Sequence, residues 1–199
     1  MLPYGVDLEY FPDASPNPDS PFRVVYVGQI TLRKGILDLL EAFRLLGLPD
    51  AELLLIGTMD RSLLPLLRPY QHLFRHLEAV PKTELTRHYA NSSVFVLPSL
   101  ADSFSLATLE AMASGLPVIV TPNTGASELI TEGKHGFIVP IRDPGAIASK
   151  LHALYDQRAM CVEMGQNAQR LAKAQSWEKY EDEALSLYRQ TGLACGMSP

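Results

Sequence analysis

The sequence predicts an α/β domain of three layers, with helices on both faces of a parallel sheet of about six strands. Three observations carry this. Short apolar, β-branched runs recur and end in glycine or proline, as in "FRVVYVG" (22–28), "AELLLIG" (51–57) and "SVFVLP" (93–98). The stretches between them have apolar residues at helical spacing. The composition, 47% hydrophobic and 20% charged over 199 residues, is enough to bury a real core.

Taken in order, residues 1–21 hold five of the fifteen prolines and read as an extended linker with little room for regular structure. Residues 22–28 form the first strand. The helix "KGILDLLEAFRLLG" (34–47) has apolar residues at 36, 39, 40, 43 and 46, with Gly47 as its C-cap. A strand over 51–57 precedes a proline-broken helix over 61–74, a weaker strand over 75–80 and a helix over 82–92. Strand 93–98 leads to a helix over about 104–114, then strand 117–121, a short helix over 125–133 and strand 136–140. Helices over 143–156, 158–174 and 177–190 close the chain. The body of the domain is 22–176, and 177–199 form a terminal helix and tail.

The composition narrows function. Seventeen basic against twenty-two acidic residues give a net charge of −5, which argues against nonspecific nucleic-acid binding. The two cysteines, Cys161 and Cys195, have no Cys-x-x-Cys partner, so a reducing cytoplasm is expected, without a zinc site or disulfide framework. No apolar run approaches the roughly 20 residues that span a bilayer. The start, "MLPYGVDLEYFP", lacks the features of a signal peptide and reads as the middle of a longer protein. There is no Asp-x-Asp pair, Walker lysine loop, Gly-x-Gly-x-x-Gly or Gly-x-Ser-x-Gly elbow. His72 and His76 have metal-ligand spacing on a helix, but no third ligand is evident and the helix is expected to end between them.

In parallel α/β sheets ligands sit outside the carboxyl ends of the strands. Here those ends lead into "GQITLRKG" (28–35), "GTMDRS" (57–62), "VPKTE" (80–84), "PSLADSFS" (98–105) and "TPNTGAS" (121–127). Ser103 or Ser105 can cap the helix that follows, leaving the amides of Phe104, Ser105, Leu106 and Ala107 free to bind an anion. Glu110 lies ~7.5 Å further along the axis than Ser105, about one sugar ring away, at 1.5 Å per residue. A carboxylate there suits a vicinal diol. Asp102 and Glu110 also read as a loop acid that favours the helix dipole and a solvated helix residue. Arg33 and Lys34, beside Gly35, offer cations that face the same anion or simply open a solvated helix. Glu128, behind the N-cap candidate Ser127, could support the neighbouring loop.

Together, "PYGVDLEYF" (3–11), "VGQITLRKG" (27–35), "LLLIG" (53–57), "VPKTEL" (80–85), "FVLPSLADSFSLATLEAMASGLPVIVT" (95–121), "TGASELI" (124–130) and "GFIVPIRDPGAIA" (136–148) resemble the C-terminal domain of a GT-B retaining glycosyltransferase of family 4. The resemblance implies a Rossmann-like αβα sandwich, the C-terminal half of a GT-B fold. It implies transfer of a hexose-type sugar from a nucleotide diphosphate sugar to a hydroxyl acceptor, with retention and without a metal or other cofactor. Of the family's two acids, Glu110 would take the ribose hydroxyls and Asp102 the sugar hydroxyls. Lys34 would bind the diphosphate, beside Gly28, Arg33, Ser103, Phe104 and the amides of Ser105, Leu106 and Ala107. The base would lie near Val80, Pro81 and Leu85.

This sequence departs from the family pattern at several of these places. Asp102 replaces a longer Glu, Ser103 and Ser105 replace the glycines that flank the aromatic, Gln29 replaces an Arg, and Met59 a Gly. The resemblance further implies a missing N-terminal acceptor-binding domain, hence a half enzyme without turnover of its own. The stripe Trp177, Tyr180, Ala184, Leu187 and Tyr188 either packs on this domain's own sheet-covering helices or, as the resemblance implies, points back toward that domain. Peripheral membrane association of the full-length enzyme is compatible with this reading. A nucleotide-sugar-binding module without transfer, and a GT-B-like epimerase, are the alternatives.

Overall fold

The computed structural model describes residues 2–11 and 19–190; Cys195 and the proline-rich stretch over 12–18 lie outside these. Six strands form one parallel sheet: β1 (Phe22–Val27), β2 (Ala51–Ile56), β3 (Phe74–Leu77), β4 (Val94–Leu97), β5 (Val118–Val120) and β6 (Gly136–Ile138). Their order is β3-β2-β1-β4-β5-β6. The order reverses between β1 and β4, where Val24 pairs with Val94. This is the topological switch point of a Rossmann-like sheet, the place where a crevice opens at the carboxyl ends. Every residue of β4 and β5 is buried, as expected for strands covered on both faces.

The helices are α1 (Ile36–Leu46), α2 (Leu64–Leu67), α3 (Lys82–Ala90), α4 (Leu106–Ala113), α5 (Pro144–Asp156), α6 (Arg158–Lys173) and α7 (Trp177–Gln190). α1 packs on α5, and α4 packs on α6. The buried face of α1 carries Ile36, Leu39, Leu40, Phe43 and Leu46, the apolar positions seen in the sequence. Gly47 caps it in the left-handed conformation.

Four stretches differ from expectation. The helix expected over 61–74 is a short α2 between two 3-10 turns, Arg61–Leu63 and Arg68–Tyr70, because Pro65 and Pro69 each remove a helical donor. β3 begins at Phe74 and stops at Leu77, short of residue 80. The helix expected over 125–133 is a single 3-10 stretch, Gly125–Leu129. Its amides bond three residues back, Ser127 to the Thr124 carbonyl at 2.8 Å and Ile130 to the Ser127 carbonyl at 3.0 Å, and Ile130 is already extended, so no longer ladder builds up. Within the segment expected to be an extended linker, residues 2–11 pack on the domain. Val6 and Phe11 are buried, and Leu8–Tyr10 make a 3-10 turn. The Val6 amide donates to the Gln175 carbonyl at 3.0 Å, and the Tyr4 ring meets Trp177 and Tyr180 of α7 at 6.2 and 5.6 Å. Leu185, Leu187 and Tyr188, further along α7, are exposed.

Candidate nucleotide-sugar site

The loops that follow β1 and β4 meet at the switch point. The Leu100 amide donates to the Arg33 carbonyl at 2.8 Å, and the Arg33 guanidinium donates to the Ala101 carbonyl at 2.8 Å. The Lys34 ammonium contacts the Asp102 carboxylate, with both side chains largely buried. Asp102 is held in turn through its main chain. Its amide donates to the Asn123 carbonyl at 2.9 Å, and its own carbonyl accepts from Gly125 at 3.2 Å. Arg33, Leu100, Ala101, Asp102, Ser103 and Asn123 line an open cleft of about 450 Å³ here.

Beyond Asp102 the chain turns into α4. Ser105, not Ser103, is the N-cap, and its hydroxyl accepts from the Thr108 amide at 3.3 Å. Ser105 sits at φ 72°, in the left-handed region. The resemblance expects glycine there. A serine in that conformation is strained by roughly 1–2 kcal/mol, and it is held by its own cap and by burial of the neighbouring Phe104. Among the described residues none accepts a hydrogen bond from the amides of Phe104, Ser105, Leu106 and Ala107. The positive end of α4 is therefore open.

Glu110 lies on α4, half buried. Lys82, the first residue of α3, has its ammonium 3.6 Å from the Glu110 carboxylate and 2.6 Å from that of Asp7. Tyr89 is buried; its hydroxyl is turned toward Glu110 and donates to the Ala107 carbonyl at 3.3 Å. Burial raises Glu110 above the ordinary carboxylate range, and the Lys82 charge partly offsets this. The Lys82 hydrogen bond lowers Asp7. Val80 and Leu85 pack against the core on either side of Pro81, the N-cap of α3.

Thus Arg33, Lys34, Asp102, Ser103 and the start of α4 come together, with Glu110 one helix turn beyond and Val80, Pro81 and Leu85 next to it through Lys82. Gly28 ends β1 at φ 146°, where its amide donates to the Ile56 carbonyl at 2.9 Å. Glu128 is exposed on its 3-10 turn. His76 lies on β3 and bonds the Gly57 carbonyl at 2.8 Å, so it shares no helix face with His72. Among the described residues no group of three or more metal-ligating side chains gathers, and no helix is long and apolar enough to cross a membrane. Reading the sequence did not single out Lys82, Asp7 or Tyr89. The first two stand inside the quoted "VPKTEL" and "GVD" motifs, but nothing local shows that they face Glu110.

The raised Glu110 carboxyl has a consequence for stability. In the unfolded chain it ionises at its ordinary value; in the fold it resists ionisation. Its contribution therefore falls as pH rises through the unfolded value and stays unfavourable above the folded one. Glu110→Gln is expected to be at least as stable as the wild type at neutral pH, the difference vanishing in acid. Urea denaturation across pH checks this; a destabilised variant at neutral pH would contradict it.

Known proteins share this fold and sequence pattern. A sequence model described as glycosyl transferases group 1 matches residues 9–171. A D-inositol 3-phosphate glycosyltransferase of Paenarthrobacter aurescens (strain TC1) is 30% identical over 96% of this chain and 51% of its own. The sucrose-phosphate synthase of Thermosynechococcus elongatus superimposes with a TM-score of 0.82 at 27% identity, over 97% of this chain and 52% of that one. Anabaena Alr3699/HepE, solved in complex with UDP-glucose, has the same fold at a TM-score of 0.80 and 18% identity, over 94% of this chain and 56% of its own. The chain spans about half the length of the curated relative, 51%. With the family pattern matched from the first 3-10 turn through α6, and the fold matched throughout, this chain belongs to the glycosyl transferases group 1 family.

Proposed function

We propose that this chain is the donor-binding, C-terminal half of a retaining family 4 glycosyltransferase of the cytoplasm, one that moves a hexose-type sugar from a nucleoside diphosphate sugar to a hydroxyl acceptor. One observation carries the reading: the open amides of α4 lie between a Lys34–Asp102 pair on one side and the half-buried Glu110 on the other. That is a seat for an anion with hydroxyl acceptors at both ends. The diphosphate takes the amides and Lys34. An ammonium has three donors, so Lys34 serves the diphosphate while still touching Asp102. Glu110 accepts from the two ribose hydroxyls. Asp102 accepts from hydroxyls of the transferred sugar, and the base rests against Val80, Pro81 and Leu85. As the anomeric bond breaks, negative charge grows on the diphosphate, and the fixed amides with Lys34 and Arg33 stabilise it without a metal. The acceptor-binding domain is the missing partner, and the full-length enzyme is free to associate peripherally with a membrane. Because a neighbour of the same fold was solved with UDP-glucose, uridine nucleotides are the first donors to try.

Calorimetric titration with UDP, GDP and ADP tests the reading. One of them is expected to bind, and Glu110→Ala to weaken it by about 1–3 kcal/mol, the range for hydrogen bonds to a charged group. Equal affinity of the two folded proteins would remove Glu110 from the ribose.

A further inference from the structure

The cation Lys82 stands between two carboxylates from distant parts of the chain. Asp7 comes from the N-terminal segment and Glu110 from α4, at 2.6 and 3.6 Å from its ammonium. Two aromatic rings also face the Lys82 ammonium, which lies 5.0 Å from the Tyr10 ring centroid and 5.6 Å from that of Phe11. Phe11 is buried against Tyr89, the residue that walls Glu110 from inside. Thr86, one turn along α3, donates to the Tyr10 carbonyl at 2.9 Å, which pins the same segment to α3.

We propose that Lys82 is a positioning residue of the donor site: it holds the Glu110 carboxylate ionised and oriented for the ribose, and the N-terminal segment, through Asp7, Tyr10 and Phe11, holds Lys82 in place. The inference rests on the reading of Glu110 as the ribose acceptor. Its chemical reason is the conflict at Glu110. A carboxylate that accepts two hydroxyl hydrogen bonds must be ionised, while burial of Glu110 opposes ionisation, which the Tyr89 hydroxyl offsets only slightly. A cation close by eases the conflict. The groups that face Glu110 are few. α3 brings Lys82 and Tyr89, and the N-terminal segment brings Asp7. β4 and β5 beneath α4 carry only apolar side chains. α6 packs along α4 through buried small and apolar residues, and its Gln169 amide donates to the Ala113 carbonyl at 3.0 Å; the charges of α6 do not act on Glu110. Glu128, on the 3-10 turn after β5, is exposed. Among the described residues, Lys82 is the one cation acting on Glu110.

The signs of two substitutions differ, which separates electrostatics from packing. Lys82→Met removes the cation and keeps the stem, so Glu110 is expected to titrate at higher pH than in the wild type. Asp7→Asn keeps an acceptor for Lys82 and removes a negative charge, so Glu110 is expected to titrate at lower pH. Lys82→Arg is expected to behave as the wild type. Carbon-detected NMR of glutamate-labelled protein, full chain and without nucleotide, reads these midpoints directly.

The second arm is calorimetry with UDP, GDP and ADP at about pH 5.5 and about pH 8, where the ratio of wild-type to Lys82→Met affinity is expected to be several-fold larger at the lower pH. A lysine that only attracted the diphosphate would give an equal or smaller ratio at the lower pH, where the terminal phosphate is partly protonated. An unmoved Glu110 midpoint in Lys82→Met overturns the inference. So does a midpoint that shifts the same way in Lys82→Met and Asp7→Asn, since that reports loosened packing. If the midpoints move as expected but Glu110→Gln binds every nucleotide as the wild type does, it is the ribose reading that has failed, and Lys82 then serves no donor site.

Discussion

Gly35→Ala is expected to destabilise the chain by about 3 kcal/mol or more and to remove nucleotide binding with it. Gly35 lies at φ +72°, and a Cβ built on it would stand 1.9 Å from the Pro98 carbonyl oxygen. That oxygen belongs to the backbone at the end of β4, so no side chain can swing aside. The loop carrying Arg33 and Lys34 would have to lift from the loop carrying Asp102. The 2.8 Å bond from Leu100 to Arg33 and the Lys34–Asp102 pair would open together. Gly133 is the internal control. It has a similar φ of +76° and nothing within 4 Å of its virtual Cβ. Gly133→Ala should therefore show only the left-handed penalty, roughly 1–2 kcal/mol. Urea denaturation of both variants, followed by nucleotide titration of any that fold, makes the comparison. Equal costs would mean that the close approach of the two loops contributes nothing.

The second large effect concerns turnover. The 199-residue chain on its own is expected to transfer no sugar to any acceptor, with slow hydrolysis of the donor as the only reaction. The reason is geometric. Arg33, Ser103 and Leu106 at the mouth of the site are exposed, so the cleft has one wall. An acceptor hydroxyl has nothing here to orient it, and orientation supplies much of the rate in a two-substrate reaction. Water also reaches the diphosphate and weakens the electrostatic stabilisation that a closed site would give. Mass-spectrometric assay of donor and product, with and without simple sugar and polyol acceptors, decides the matter. Robust transfer by the purified chain would show that one domain is sufficient and that the two-domain reading is wrong.

The strands and most helices were legible because their signals are local. An apolar β-branched run such as Val94–Leu97 has few ways to satisfy its side chains other than a sheet covered on both faces. The spacing of Ile36, Leu39, Leu40 and Phe43 is met only by a helix. Expectation failed where the outcome depended on how far a short ladder runs or on distant segments. The stretch after β5 stays a 3-10 turn, with Ser127 and Ile130 bonding three residues back and Ile130 already extended. The N-terminal stretch packed because Val6 and Phe11 found burial against segments far along the chain.

By itself, then, the sequence determined an α/β domain, and marked the strand ends that lead to Lys34 and Asp102 and the helix that carries Glu110, because periodicity and motif spacing are properties of neighbouring residues. Only the tertiary structure decided that Lys34 faces Asp102, that Ser105 rather than Ser103 caps α4, and that Asp7 and Lys82 come to Glu110. Charges separated by tens of positions interact only after the sheet has set its strand order. Which carboxylate a lysine meets is then fixed by whichever loops that order brings to one edge.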